Sequence, residues 1–189
     1  MTSIPILRAG GTLEKEYDEH SGDLGFRGGH IAQMLRRARC SAVEVLPRLV
    51  FLKDSLDMTD EDREAIRDAC VRSPHDRIVI TYGTDTMVET ARHLAARIDG
   101  KTIVLVGAMV PYPFGGSDAL FSLGFALAAV QLLPPGVYVA MNRRAFTWDN
   151  VRKDKTLGRF VALRDDCPAS GWGEGALSEW ATSQVSSDS

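Results

Sequence analysis

Two threonines that directly follow glycine carry the chemistry legible in this chain: Thr12 in Gly10-Gly11-Thr12-Leu13 and Thr84 in Tyr82-Gly83-Thr84-Asp85. Glycine permits a sharp turn and a close backbone approach, so the next residue presents its hydroxyl and N–H outward. A threonine hydroxyl is a weak nucleophile until a neighbouring base takes its proton. Asp85 follows Thr84, and Lys153 lies downstream in a basic run with Arg152 and Lys155. Two such turns on one parallel sheet bring a nucleophile, a second hydroxyl and a carboxylate to a single crevice. Taken singly, the same residues have plainer readings. Thr12 caps a turn or binds phosphate with its backbone, Thr84 and Asp85 start a helix, and Lys153 belongs to a solvated loop.

The elements that must position these groups follow from periodicity. Apolar runs of strand length occur at 4–9, 42–52, 77–81, 102–107 and 137–141. Helical segments fall between them: 29–37, with Ile31, Met34 and Leu35 on one face, then one opening at Thr59-Asp60-Glu61-Asp62, then 85–98 and 117–133. Thr59 suits the N-cap, with carboxylates in the first turn where the helix dipole favours them. The alternation predicts an α/β fold, a three-layer, doubly wound, mostly parallel sheet with its crevice at the carboxyl ends of the strands. Residues 14–27, charged and containing a Ser21-Gly22-Asp23 turn, break the pattern and read as a loop covering a site. Residues 112–116 read as a second rim loop, and Ser117-Asp118 as a helix cap. One domain is expected over 1–166, followed by a Gly/Ser-rich tail, 167–189, expected to be poorly ordered.

Composition narrows the function classes. The 189 residues suffice for one well-filled core, and a net charge of −3 without a sustained basic run argues against a nucleic-acid surface. The longest apolar stretch, 119–133, is too short and too interrupted for a membrane span. The first residues show no basic-then-apolar pattern, so no secretory signal is expected. Cys40, Cys70 and Cys167 are odd in number and widely spaced, which suits thiols in a reducing cytoplasm rather than a disulfide framework. His20, His30, His75 and His93 lack metal-ligand spacing, so neither a metal nor another cofactor is expected.

Five ordered segments extend the pattern: GGTL at 10–13, DSLDM at 54–58, TYGTDTMVETA at 81–91, VGAMVP at 106–111 and NVRKDKT at 150–156. Together they resemble the GGTI, SQDM, HGTDTMEETA, GAMRP and DVTKTN signatures of the bacterial-type L-asparaginases, over that family's N-terminal domain. The resemblance implies that Thr12 is the nucleophile and that Thr84, Asp85 and Lys153 form a second-threonine triad. It implies that Tyr17, the tyrosine of the covering loop, assists Thr12, that Asp85 pairs with a substrate α-ammonium, and that Ser55 bonds its α-carboxylate. Backbone N–H groups around Gly11 and Gly83 would stabilise the oxyanion. Independently of the family, an amino-acid head group needs an acceptor for its ammonium and donors for its carboxylate, which Asp85 and Ser55 supply.

Three departures stand out. The family's C-terminal domain has no counterpart in this sequence, Leu56 replaces the glutamine of SQDM, and Tyr82 and Ala9 replace the residues usual beside the glycine turns. The expected function is hydrolysis of L-asparagine to L-aspartate and ammonia by a homodimer or higher homo-oligomer. Another amide, such as glutamine or a β-aspartyl derivative, is the nearest alternative. A non-catalytic amino-acid sensor comes next. A nucleotide-binding domain ranks last, because the chain lacks a GxGxxG pattern.

Overall fold

The computed structural model describes residues 3–40 and 44–164. Five parallel strands build its sheet: β1 (Ser3–Gly10), β4 (Glu44–Lys53), β5 (Arg77–Thr81), β6 (Thr102–Val106) and β7 (Gly136–Met141). An antiparallel edge strand, β8 (Arg144–Thr147), completes the order β4-β1-β5-β6-β7-β8. The central strands are apolar on both sides, as strands covered by helices must be. Ile78, Ile80, Ile103 and Leu105 face α2 (Asp60–Arg72) and α3 (Met87–Ala95) through Ile66, Met87, Ala91 and Leu94. Val79, Val104 and Val106 face α1 (Ile31–Arg37) and α4 (Ala119–Leu132) through Met34, Leu123 and Val130. The three-layer, doubly wound α/β expectation holds. Because the chain steps from β1 outward to β4 and then back across to β5, the sheet reverses direction between β1 and β5. That is where a crevice opens at the strands' carboxyl ends.

Local chemistry sets the boundaries. Thr59 caps α2 through a full capping box, its hydroxyl accepting from Asp62 N–H while the Asp62 carboxylate accepts from Thr59 N–H. Residues 14–27 are more ordered than a plain loop: β2 (Glu16–Tyr17) and β3 (Leu24–Gly25) pair antiparallel as a small hairpin. Lys153 is on a strand rather than in a basic loop, since β9 (Arg152–Asp154) pairs with β10 (Arg159–Val161) and sets Lys153 opposite Phe160. Asp118 occupies the N-cap of α4 without a side-chain capping bond. Its carboxylate accepts from Met109 and Val110 N–H at 3.0–3.1 Å, tying the helix start to the segment after β6, while the Ser117 hydroxyl accepts from Ala119 N–H. Thr84 and Asp85 precede α3, whose N-cap is Thr86.

Cys40 and Cys70 are free thiols, and burial pushes the Cys70 thiol up to about 12. Cys167 and the expected 167–189 tail lie outside the described residues. Among the described residues no cluster suits a metal ion, and no helix is long and apolar enough to cross a membrane.

Gly11 sits at a φ of +86°, and a Cβ there would overlap the Gly83 nitrogen and the Tyr82 carbonyl. Gly124, on the exposed face of α4, has nothing near it. Gly11→Ala is therefore expected to destabilise the domain by about 2–5 kcal/mol from strained φ and overlap together. Gly124→Ala should stabilise it by about 0.5–1 kcal/mol. Urea midpoints that move in the same direction would contradict this placement.

Candidate active site

Three turns meet at the carboxyl ends of β1, β4 and β5, and glycine lets them touch. Gly11 lies against Gly83, and a Cβ on Gly83 would overlap Ser55 Cβ and Oγ. Gly11 N–H donates to Lys53 O at 3.2 Å, so this amide already serves the fold. Among the described residues, the amides of Thr12 and Thr84 have no such partner and remain available to an oxyanion.

Lys153 reaches this meeting point from β9. Its ammonium lies 2.8 Å from Thr84 Oγ1 and 2.8 Å from Asp85 Oδ1, donating to both. Thr84 is buried, and the Lys153 side chain is largely so. The three residues expected to act together are in direct contact. The β9–β10 hairpin that delivers the lysine has little core of its own and is held from outside. Phe160 and Val151 are buried, Phe160 N–H donates to Asn142 Oδ1 at 2.7 Å, and Asn150 Oδ1 accepts from the Leu163 and Arg164 amides. Asn142 and Arg143 form the β7–β8 turn with φ of 52° and 66°, the left-handed pair that a two-residue hairpin turn requires.

Ser55 is buried, and its Oγ accepts the Asp85 N–H at 3.2 Å, leaving the hydroxyl proton for a ligand. Its carbonyl is held by Thr86 Oγ1 at 2.7 Å. Behind Thr86 stands Tyr82, fully buried, whose hydroxyl accepts from Thr90 Oγ1 at 2.7 Å and lies 3.4 Å from Thr86 Oγ1. Burial pushes the Tyr82 phenol above its ordinary range, which keeps it a neutral donor. The substitution beside the second glycine turn thus braces Ser55 from behind and does not line the crevice.

Thr12 opens a single 3₁₀ turn, Thr12–Glu14, and is half-buried. Tyr17 is not gathered with the others: it is 56% exposed on β2, and its side chain makes no hydrogen bond among the described residues. Leu56 is 70% exposed on the Ser55–Asp57 turn, an apolar side chain facing solvent. Sequence reasoning missed two ion pairs. Glu14, read there as the start of a charged loop covering a site, is completely buried and paired with Arg8, while Lys15 pairs with Asp54. The Lys15 hydrogen bond, ahead of the opposing cost of partial burial, holds the Asp54 carboxyl below the usual carboxylate range. A charged Arg8 inside an otherwise apolar strand was the available signal, since such a charge needs a partner.

Comparison with known proteins places the chain's sequence in one family. The family model "Asparaginase, N-terminal" matches residues 3–165. An L-asparaginase of Thermococcus kodakarensis is 31% identical over 157 residues, which is 81% of this chain and 48% of that protein. A probable periplasmic L-asparaginase of Haemophilus influenzae is 31% identical over 171 residues, covering 82% of this chain and 47% of its own length. Among solved structures, the thermostable L-asparaginase of T. kodakarensis superposes with a TM-score of 0.77 at 29% identity, covering 85% of this chain and 51% of that one. The chain thus spans about half the length of these relatives, and across that half it belongs to the asparaginase family, matching the family's N-terminal domain.

Proposed function

We propose that this chain hydrolyses the side-chain amide of L-asparagine, releasing ammonia and L-aspartate, with Thr12 as nucleophile. The observation that carries the reading is the Lys153 ammonium shared between Thr84 Oγ1 and Asp85 Oδ1 beside the Thr12 turn. Thr12 Oγ attacks the amide carbon, and the amides of Thr12 and Thr84 take the oxyanion. The Thr12 proton passes by way of Tyr17 to the amide nitrogen, which leaves as ammonia, and an acyl-enzyme remains on Thr12. Water then attacks the ester carbon; its proton enters the Thr84–Lys153 hydrogen-bonded relay, which gives one up to Thr12 Oγ, and Thr12 leaves as a free hydroxyl. Asp85 receives the substrate ammonium and Ser55 its carboxylate. Tyr17 joins Thr12 when the hairpin folds over bound substrate. The same reading puts the enzyme in the cytoplasm as a homo-oligomer.

Thr12→Ala is expected to lower ammonia release from L-asparagine by at least about a thousandfold while the fold persists. Lys153→Met should lower kcat by about 10²–10⁴-fold, the span of a lost proton-transfer group. Full activity in either variant would exclude that residue's role. Leu56→Gln should lower KM by one to two orders of magnitude, the equivalent of about 1.5–3 kcal/mol for a hydrogen bond to a charged head group. An unchanged KM would remove Leu56 from the substrate's surroundings. Turnover of glutamine or a β-aspartyl dipeptide in preference to asparagine would keep the reaction and change the substrate. Calorimetric binding of asparagine without ammonia release would identify a sensor.

A further inference from the structure

We propose that Glu14 is a positioning residue for Thr12: with Arg8 and Thr81, its buried carboxylate latches the returning end of the 15–28 hairpin onto the nucleophile's turn. This role rests on Thr12 being the nucleophile. A carboxylate with no solvent exposure is costly unless fully paired. Here Oε2 accepts from Arg8 Nε at 2.7 Å, with Arg8 Nη2 at 2.5 Å, and Oε1 accepts from Thr81 Oγ1 at 2.8 Å. Arg8 and Thr81 are themselves partners in the β1–β5 register, so the carboxylate sits across the two strands that flank the crevice.

What this ion pair adds is not sheet stability, because the backbone ladder already joins β1 to β5. It adds geometry. Glu14 closes the 3₁₀ turn that Thr12 opens, its N–H donating to Gly11 O at 3.0 Å, so fixing the carboxylate fixes the turn. The same guanidinium continues outward, Arg8 Nη2 donating to Gly28 O at 2.9 Å. Gly29 makes room for this, since a Cβ there would overlap both Arg8 Nη2 and Glu14 Oε2. One buried pair therefore holds the hairpin's root and its return. The second tie, Lys15–Asp54, is more exposed and correspondingly weaker.

The test compares Glu14→Gln with the milder Thr81→Val in the full chain. The readouts are asparagine kinetics and tryptic cleavage of the Arg27–Gly28 bond, measured against cleavage at Lys155–Thr156 in the exposed β9–β10 turn. Release of the latch should raise the Arg27–Gly28 to Lys155–Thr156 cleavage ratio by about tenfold through local opening. It should also lower kcat by about tenfold, with KM held within about threefold. In Arg8→Ala, methylguanidinium should restore both values. A cleavage ratio unchanged in both variants, or cleavage at the two bonds rising in step, would overturn the proposal, as would unchanged kcat in an active enzyme. If the parent chain releases no ammonia from any amide while the variants still raise the ratio, the functional reading fails and the latch stands.

Discussion

A single ammonium placed 2.8 Å from a hydroxyl and 2.8 Å from a carboxylate is the contact on which the other features of the site converge. Neither Thr84 nor Asp85 has freedom to seek the lysine, because both lie on the short connection between β5 and α3, which is held against Gly11 at Tyr82 and Gly83 and against Ser55 at Gly83 and the Asp85 N–H. The lysine must therefore be brought to them. That requirement accounts for the β9–β10 hairpin, which contributes little to the sheet and is held by Phe160 below and by Asn142 and Asn150 at its flanks. The three-layer core supplies a rigid frame, and the hairpin converts that rigidity into the position of one charged atom.

Legibility in the sequence followed the size of the physical signal. The parallel strands and their helices were visible because burial on both faces demands long apolar runs at distinct periods, and α2 announced its start through Thr59 and Asp62. The glycine turns were visible because the close approach of three backbones restricts the residue type. β9 was invisible: three polar residues, Arg152-Lys153-Asp154, carry no alternation, and only pairing with Phe160 makes them a strand. The buried Arg8–Glu14 pair left one sign, the charge of Arg8 inside an apolar strand, and its partner was hidden for the opposite reason. Two charges that neutralise one another inside the protein look, residue by residue, like surface.

The contrast between Tyr17 and Tyr82 shows how position overrides type. Both stand near a glycine turn. Tyr82 is sealed beneath the crevice in a line of hydroxyls running from Thr90 through Thr86 to the Ser55 carbonyl, where its neutrality makes it a reliable brace. Tyr17 rides on a two-residue strand of a hairpin that touches the body chiefly through ion pairs at its ends. A side chain held that way has many positions available, and any role beside Thr12 depends on what narrows them.

Electrostatics sets a further condition on any amino-acid substrate. In this structure Asp85 is the counter-ion of Lys153, and a second cation competing for the same oxygen would raise the energy of both. The two carboxylate oxygens resolve the conflict. Oδ1 accepts from Lys153, while Oδ2 has no partner among the described residues. An incoming α-ammonium on Oδ2 would make Asp85 a bridge between two cations, drawing charge density away from Oδ1 and loosening its hold on Lys153. The remaining short contact of the Lys153 ammonium is Thr84 Oγ1. Under the proposed chemistry, binding of the head group and the readiness of Thr84 to exchange protons are thus coupled through one carboxylate.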